Sequence, residues 1–380
     1  MTAEPDLGAI VRARSETFLR NRRTTAAQRK ALRAIGACRT PALGGQRQQC
    51  DRCGHEHIQW HSCRNRSCPR CGAAARARWL EARRAELLPV PYFHVVFTVP
   101  EVLNVLALHA PRVFYDLLFR AAGGALVDVA QSRLQIQPGC LCVLHTWGQP
   151  LTHHPHIHCV VPGGGFSVHG RQWRPVAKSM FFLPVKVLSR RFRSLLIRSV
   201  RKAWREGTLE LPERVVADSV ALDLLLARAA ATDWVVYCKP PFGGPEQVLA
   251  YLANYTHRIA ISNSRIVSFD GQRVCFRYRD YANGNAEKLL TLDADEFLRR
   301  FLLHVLPPRL VRIRYYGFLA NRTRAHSIDL ARQRIGERFL PPVPAPSTDE
   351  RLCPHCGVGT LRVIGPVPPE RPPPSREDSL

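Results

Sequence analysis

Two pairs of cysteines constrain the fold of this chain more than any other feature of its sequence. Cys50 and Cys53 form one Cys-x2-Cys pair, Cys68 and Cys71 form a second, and 14 residues separate the pairs. Each pair lets one tight turn direct two sulfurs at a single ion, and four thiolates at this spacing are typical of tetrahedral structural zinc sites. The sequence therefore predicts a small zinc-ribbon-like domain near the N-terminus.

Neighbouring residues leave the exact ligand set open. Cys63 lies between the two pairs and could replace a ligand or bind a second ion, and the histidines of the same stretch offer the same two alternatives: His55, His57 and His61. A third pair, Cys353 and Cys356, has no partner pair close to it in the sequence. A metal site and a turn without metal are both open interpretations of that single pair.

The charge of the chain indicates a polyanionic partner. It has 55 Lys and Arg against 30 Asp and Glu, which gives a formal net charge of +25. No run of about 18 apolar residues predicts a membrane-spanning helix, so nucleic acid is the favoured partner. We expect Arg64, Arg66 and Arg70 of the zinc-binding domain to contact DNA.

The thirteen cysteines fit metal binding in a reducing compartment better than disulfide bonds. The first residues hold no apolar segment followed by a small-residue cleavage site. We therefore expect a cytoplasmic protein.

A second constellation is the histidine-rich segment at residues 154–158. His154, His156 and His158 are spaced by two, and alternate residues of a strand point to the same face. Neutral imidazoles can hold a divalent metal that polarises a phosphodiester. The segment therefore predicts a catalytic metal site on a β-strand.

A third constellation is a pair of tyrosines in a predicted helix that begins at Pro245. Tyr251 and Tyr255 are four residues apart, so both phenols lie on one helix face. A phenol that attacks a phosphodiester forms a phosphotyrosine and frees a 3′-hydroxyl, which conserves the bond energy for rejoining. Arg258, one turn further on, is placed to hold the phosphate. Tyr315 and Tyr316 are adjacent in a predicted strand and so face opposite sides.

Hydrophobic patterning predicts a mixed α and β chain. It predicts strands at 92–99, 140–147 and 156–161, a helix at 111–134 that breaks at Gly123 and Gly124, and a hairpin that turns at Asp270 and Gly271. We expect four regions in sequence order: a basic helix with a zinc-binding domain (1–89), a catalytic domain (90–282), a basic α/β extension (283–340) and a Pro-rich tail with the single cysteine pair (341–380).

Taken together, these motifs resemble the insertion sequence 91 family of transposases, within the HUH endonuclease superfamily. The resemblance runs from about Cys50 to Arg324 and rests on these passages: Cys63–Cys71, His145–Gly148, His154–Gly165, Tyr251–Arg258 and Ile313–Gly317.

The resemblance implies an α+β fold with a ferredoxin-like palm, in which helices flank an antiparallel sheet whose central strand carries His156 and His158. It implies Mg²⁺ or Mn²⁺ as the catalytic ion, with His154 as the first candidate for a third ligand and Gln149 as the second. It also implies rolling-circle transposition in a bacterial cell, in which a nucleoid-associated enzyme uses Tyr251 and Tyr255 to nick and rejoin single-stranded DNA at transposon ends.

Other functions fit parts of the sequence. The histidine segment also matches the histidine-triad pattern of nucleotide hydrolases, but that function leaves the cysteine pairs, the charge and the tyrosines unexplained. A zinc-ribbon protein that binds nucleic acid without catalysis would leave the histidines and tyrosines unexplained. A relaxase or plasmid replication initiator would share the chemistry, and the N-terminal zinc-binding domain favours the transposase.

Overall fold

The computed structural model describes residues 5–170, 172–176, 183–239, 247–248, 259–281, 283–336 and 352–370. It divides the chain into two compact units, each built from separate stretches of sequence. The first unit comprises Met1–Ala75, Ile259–Val305 and Val343–Leu380, and the second comprises Arg76–Arg258 and Leu306–Pro342. The unit boundaries lie after residues 75, 258, 305 and 342, so the last is close to the predicted boundary at 340 and the others differ from 89 and 282. Strand pairing of residues 45–50 with 361–367 joins the C-terminal segment to the first unit.

The helices of the described residues are α1 (Leu7–Asn21), α2 (Ala26–Ala37), α3 (Gly72–Arg84), α4 (Asn104–His109), α5 (Pro111–Leu134), α6 (Val185–Arg205), α7 (Ser219–Ala231), α8 (Ala294–Leu302) and α9 (Arg324–Ile335). The strands are β1 (Gly45–Cys50), β2 (Glu56–Trp60), β3 (Tyr92–Thr98), β4 (Ile136–Trp147), β5 (His153–Pro162), β6 (Gly164–Ser167), β7 (Trp173–Pro175), β8 (Val236–Lys239), β9 (Ile266–Phe269), β10 (Arg273–Asp280), β11 (Ala286–Asp293), β12 (Ile313–Gly317) and β13 (Leu361–Val367).

The second unit is organised around an antiparallel sheet of seven strands. The strand order is β7-β6-β4-β5-β3-β8, and β12 also pairs with β4. The predicted strands at 92–99, 140–147 and 156–161 are confirmed as β3, β4 and β5, which lie side by side. Because β5 has a neighbour on each edge, its side chains point only to the two faces of the sheet.

Side-chain alternation gives the two faces of this sheet different characters. Ile157, Cys159 and Val161 of β5 are buried in the core formed with α5, α6 and α7. His156 and His158 alternate with them and therefore lie on the opposite face. That second face is apolar toward the other end of the strands, where Val160 packs in a cluster with residues of α9.

Helix α5 is continuous, so the predicted break at Gly123 and Gly124 is wrong. Gly123 faces the ring of Tyr316, and a Cβ atom at this position would lie 2.5 Å from Tyr316 Cγ. The glycine therefore serves close packing between α5 and β12. As predicted, the two adjacent tyrosines of β12 differ in surroundings: Tyr316 packs against this core, while the Tyr315 hydroxyl accepts a hydrogen bond from Arg83 at 2.7 Å.

The first unit contains a helical hairpin and two sheets of three strands. Helices α1 and α2 begin at side-chain caps: Asp6 accepts a hydrogen bond from the amide of Ala9, and Thr25 forms a reciprocal capping box with Gln28. Arg14 of α1 forms a 3.0 Å ion pair with Asp295 of α8. The sheet orders are β13-β1-β2 and β11-β10-β9.

The predicted hairpin at residues 270–271 is confirmed between β9 and β10. The Asp270 carboxylate accepts hydrogen bonds from the amides of Gln272 and Arg273, and Gly271 has a φ of +95°. The α+β class is confirmed as well, with an antiparallel sheet flanked by helices and a cysteine-rich region before it.

Replacing Gly123 with alanine should destabilise the second unit. The added methyl group meets an aromatic ring inside a packed core, and overpacking of this kind costs about 1–3 kcal/mol. We expect the free energy of unfolding in urea to fall by that amount. Gly124→Ala is the matched control, because its Cβ lies 3.4 Å from the flexible end of Leu195 and alanine favours helix by about 1 kcal/mol. Equal stability of the two variants would refute the close-packing explanation.

Candidate metal centres

Three histidines meet on the face of the large sheet that lies opposite α5. His145 of β4 pairs directly with His156 of β5, and His158 follows two residues later on the same face. One nitrogen from each ring lies within 4.8 Å of the other two. The side chains of His145 and His158 are buried, and His156 is half-buried. One cation can therefore contact all three imidazoles.

The rings of two of these histidines are held through Nδ1. His156 Nδ1 lies 2.7 Å from the carbonyl oxygen of His154 and donates a hydrogen bond to it. His158 Nδ1 lies 2.8 Å from His94 Nε2 on the neighbouring strand β3. Metal-binding histidines are typically oriented in this way, with one nitrogen on a protein partner and the other on the ion. Nε2 is thus the atom that His156 and His158 would present to a cation.

His94 is suited to accept this hydrogen bond because it is neutral. Burial, together with the positive charge of Lys239, its neighbour across β3 and β8, lowers the pKa of the His94 imidazole to about 3. A neutral His94 with its proton on Nδ1 presents a lone pair on Nε2. His158 can then carry a proton on Nδ1 and keep the Nε2 lone pair for an ion.

The structure corrects the predicted third ligand. His145 joins His156 and His158, whereas His154, the expected ligand, is not part of the cluster. The strand pairing shifts between His145 and Trp147, where β5 has one residue more than β4, so the regular alternation of β5 is interrupted between His153 and His156. Gln149, the second candidate, lies in the turn after β4.

His145 was within reach of sequence reasoning, since it belongs to a passage that carried the family resemblance. Its role depends on the register of β4 against β5, which spacing within a single segment does not reveal. The sequence gives little indication that His94 belongs to the site, because a lone histidine in an apolar strand is usually a core residue. Tyr251, Tyr255 and Arg258 lie outside the described residues.

Eight cysteines of the first unit form two separate clusters of four. Cys38, Cys63, Cys68 and Cys71 make up the first, and Cys50, Cys53, Cys353 and Cys356 make up the second. In each cluster the sulfur atoms lie within 4.8 Å of one another. All thirteen cysteines are free thiols. Two cysteine tetrads of this kind match the donor set of structural zinc sites.

This arrangement corrects the prediction that Cys50, Cys53, Cys68 and Cys71 share one ion. Cys68 and Cys71 join Cys63, the predicted alternative ligand, and Cys38 at the end of α2. The first pair instead meets the C-terminal pair, because β13 pairs with β1 along the edge opposite β2. Cys38 had no local signal in the sequence, since it forms no Cys-x2-Cys pair.

The arginines predicted to contact DNA differ in their surroundings. Arg64 and Arg66 are exposed. Arg70 forms an ion pair with Asp6 and donates a 3.0 Å hydrogen bond to the carbonyl oxygen of Cys38. Arg70 therefore ties the first cysteine cluster to the start of α1, and Arg64 and Arg66 are the better placed of the three to meet a partner.

Comparison with known proteins identifies the class to which these sites belong. The family described as "Transposase zinc-binding domain" matches residues 10–99. The family described as "Putative transposase" matches residues 139–327, which include the three clustered histidines. A DNA transposase with a zinc-binding domain is thus the class of protein that the fold and the metal centres define.

Whole-chain relatives agree with this class. The chain is 46% identical over 382 residues to "Putative transposase y4qJ" of Sinorhizobium fredii (strain NBRC 101917 / NGR234), with 95% of each covered. It is 30% identical over 292 residues to the transposase for insertion sequence element IS801 of Pseudomonas savastanoi pv. phaseolicola, which covers 75% of this chain and 68% of that protein. The chain belongs to the insertion sequence 91 family of transposases, as its motifs predicted.

Among solved structures, a conjugative relaxase TrwC in complex with oriT DNA, in a copper-bound form, is similar over 43% of this chain and 71% of that chain. The identity is 10% and the TM-score is 0.22, a likeness too weak to inform the function. Within the part of the chain that the structure describes, no helix combines the length and the apolar character needed to cross a bilayer.

Replacing Cys38 with serine should remove one zinc ion per chain. Burial raises the pKa of the Cys38 thiol to about 11, so only a bound ion would hold this sulfur as a thiolate near neutral pH. Zinc released by denaturation and measured with a chromogenic chelator gives the stoichiometry. Cys275→Ser is the matched control, because Cys275 lies in β10 and belongs to neither cluster. Unchanged zinc in the Cys38 variant would exclude this residue as a ligand.

Proposed function

We propose that this transposase nicks and rejoins single-stranded DNA at transposon ends by a rolling-circle mechanism, with a tyrosine nucleophile beside a histidine-bound divalent cation. The observation that carries the proposal is the cluster of His145, His156 and His158 on one face of two adjacent strands. A histidine-triad hydrolase would use the series His154, His156 and His158, and it gives His145 no role.

The donor set indicates which ion this cluster would hold. Three neutral imidazoles suit transition metals, whereas Mg²⁺ prefers oxygen ligands. Of the two ions that the family resemblance implies, Mn²⁺ therefore fits His145, His156 and His158 better. When bound, the ion would supply charge stabilisation for the phosphate oxygens. The protein's part is to fix three nitrogens through strand pairing and through the hydrogen bonds to His94 and to the His154 carbonyl.

The nucleophiles of the proposed reaction are Tyr251 and Tyr255. In the attack, the phenol oxygen bonds to phosphorus, the bond from phosphorus to the 3′-oxygen breaks, and that oxygen takes up a proton. The product is a 5′-phosphotyrosine, and a free 3′-hydroxyl can reverse the step on the same or another strand. Two tyrosines provide one nucleophile for the donor end and one for the second end. Arg258 would hold the phosphate through its guanidinium group.

Several basic surfaces support DNA as the partner. Helix α6 buries an apolar stripe and exposes arginines on its other side: Arg190, Arg198, Arg201 and Arg205. Arg64 and Arg66 are exposed on the zinc-binding domain. Together with the net charge of +25, these side chains suit a phosphate backbone, and binding should weaken as salt rises. Association with the nucleoid would follow from this affinity.

His145→Ala and His156→Ala should each reduce DNA cleavage by at least about 100-fold, because loss of even a partner that orients a metal ligand commonly costs 10–100-fold. The assay uses purified protein, Mn²⁺ and a single-stranded oligonucleotide from the end of the element, with DNA binding measured in parallel. Binding should persist in both variants.

His154→Ala is the matched control for these variants. It removes an imidazole outside the cluster but keeps the carbonyl oxygen that accepts the His156 hydrogen bond. Cleavage near the wild-type rate is expected. Loss of cleavage in His154→Ala, together with normal cleavage in His145→Ala, would show that the proposed ligand set is wrong.

Tyr251→Phe and Tyr255→Phe should each impair the complete strand-transfer cycle, and the double variant should form no covalent complex, because phenylalanine has no nucleophilic oxygen. An oligonucleotide labelled at its 3′ end reports a 5′-phosphotyrosine as a slowly migrating band on a denaturing gel. Tyr281→Phe, at an exposed tyrosine outside the predicted helix, is the control and should behave as wild type. A covalent complex in the double variant would exclude both tyrosines as nucleophiles.

A further inference from the structure

The second cysteine cluster joins residues from opposite ends of the chain. Cys50 and Cys53 lie in the matched zinc-binding region at residues 10–99, whereas Cys353 and Cys356 lie far outside both matched regions. The Cys53 and Cys353 sulfurs are nevertheless 3.7 Å apart, across a sequence separation of 300 residues. The C-terminal segment is therefore part of the same folded unit as the N-terminal zinc-binding region.

The two loops of this cluster have matching backbone geometry. In the first, the Arg52 and Cys53 amides donate to Cys50 Sγ at 3.4 and 3.5 Å, and the Gly54 amide donates to the Cys50 carbonyl. In the second, the His355 amide donates to Cys353 Sγ at 3.4 Å, and the Gly357 amide donates to the Cys353 carbonyl.

The glycine after each pair completes the match between the loops. Gly54 and Gly357 both have a φ of +70°, a left-handed conformation that favours glycine. Both loops therefore form the tight turn that directs two sulfurs toward one point.

The distances between the loops fit a tetrahedral ion. Cys50 Sγ lies 3.7 Å from Cys356 Sγ, and Cys53 Sγ lies 3.7 Å from Cys353 Sγ. Four sulfurs placed about 2.3 Å from a central zinc ion are separated by about 3.8 Å along each edge of the tetrahedron. Disulfide bonds would instead require about 2.05 Å.

The surrounding strands hold the two loops together. Strand β1 pairs with β2 on one edge and with β13 on the other, and Cys50 is opposite Leu361. The Asp51 carboxylate accepts a 2.9 Å hydrogen bond from the Thr360 amide, and the rings of His55 and His355 stack at 5.0 Å. Contacts between protein groups alone therefore bring the four sulfurs into one cluster.

Gly359 marks how closely the two loops approach each other. A Cβ atom at this position would lie 2.4 Å from Cys50 Sγ, which is shorter than any real contact of this type. The residue is buried and follows the second cysteine pair by three positions. The space beside the Cys50 sulfur is therefore available only because residue 359 has no side chain.

We propose that Cys50, Cys53, Cys353 and Cys356 bind a second zinc ion, which fastens segment 352–370 to the β1–β2 hairpin, so that each chain carries two structural zinc ions. A single Cys-x2-Cys pair offers two of the four ligands that a structural site needs, and each pair here completes the other. The ion would stabilise β13 on the edge of β1 and close a loop that spans most of the chain.

The decisive experiment compares two glycine variants that keep every thiol. Gly359→Ala should lower the zinc content of the full-length protein from two ions per chain to one, because its methyl group displaces the Cys50 sulfur. Gly365→Ala is the matched control: Gly365 also lies in the C-terminal segment, and a Cβ there has nothing within 4 Å. It should retain two ions.

A second measurement covers the possibility that Gly359→Ala misfolds. The double variant Cys353→Ser and Cys356→Ser should bind one zinc ion, and amide hydrogen exchange should rise in 361–367 and 45–50 while it stays unchanged in 136–147. Elemental analysis identifies the metal.

The proposal is overturned if the wild-type protein holds a single ion that the Cys38 variant loses, or if the double variant keeps two ions. Iron in place of zinc would overturn the identity of the metal, because four thiolates also suit iron. None of these readouts depends on DNA cleavage.

Discussion

The pairing of β4 with β5 is the interaction on which the candidate catalytic site depends. Side chains of a strand alternate between faces, so the register His145 opposite His156 decides which groups meet. A slip of β5 by one residue would turn the imidazoles of His156 and His158 into the apolar core, away from His145 of β4, and bring Ile157 and Cys159 to the opposite face. The core packing of Cys142, Cys159 and Ile157 against α5 makes such a slip costly, so hydrophobic burial positions the histidines.

Features that depend on one segment of sequence could be predicted, whereas contacts between distant segments could not. The spacing of His156 and His158, the bounds of β3 and α5 and the end of β4 could be predicted, because alternation and helical periodicity are properties of a single segment. Spacing within one segment does not reveal the partners His145, Cys38 and Cys353, because each is brought to its site by pairing or packing with a distant segment. Of the three, only His145 belonged to a passage that carried the family resemblance. Cysteine spacing predicted that Cys50 and Cys53 lie with Cys68 and Cys71, whereas the structure groups the first pair with Cys353 and Cys356.

His94 is a buried core residue that is also placed to orient His158 through a hydrogen bond. In the sequence it belongs to an apolar strand, and burial keeps its imidazole neutral. Only the pairing of β3 with β5 brings it to His158, where neutrality makes it a hydrogen-bond acceptor. A charged His94 would repel a cation and donate instead of accept. The same desolvation that makes the residue look structural is therefore what suits it to orient a metal ligand.

The candidate metal sites are of two kinds, which differ in their donor atoms: cysteine sulfurs in two clusters and histidine nitrogens in the third. Four thiolates saturate a tetrahedral ion and leave no position for substrate, so the cysteine clusters are suited to hold segments together. Three imidazoles leave coordination positions open, and phosphate oxygens can occupy them. The clusters also lie in different units, with the closed sites in the first and the open site in the second. Thiolates and imidazoles do not mix within these clusters, so the closed and the open type of site are separated by donor chemistry as well as by sequence.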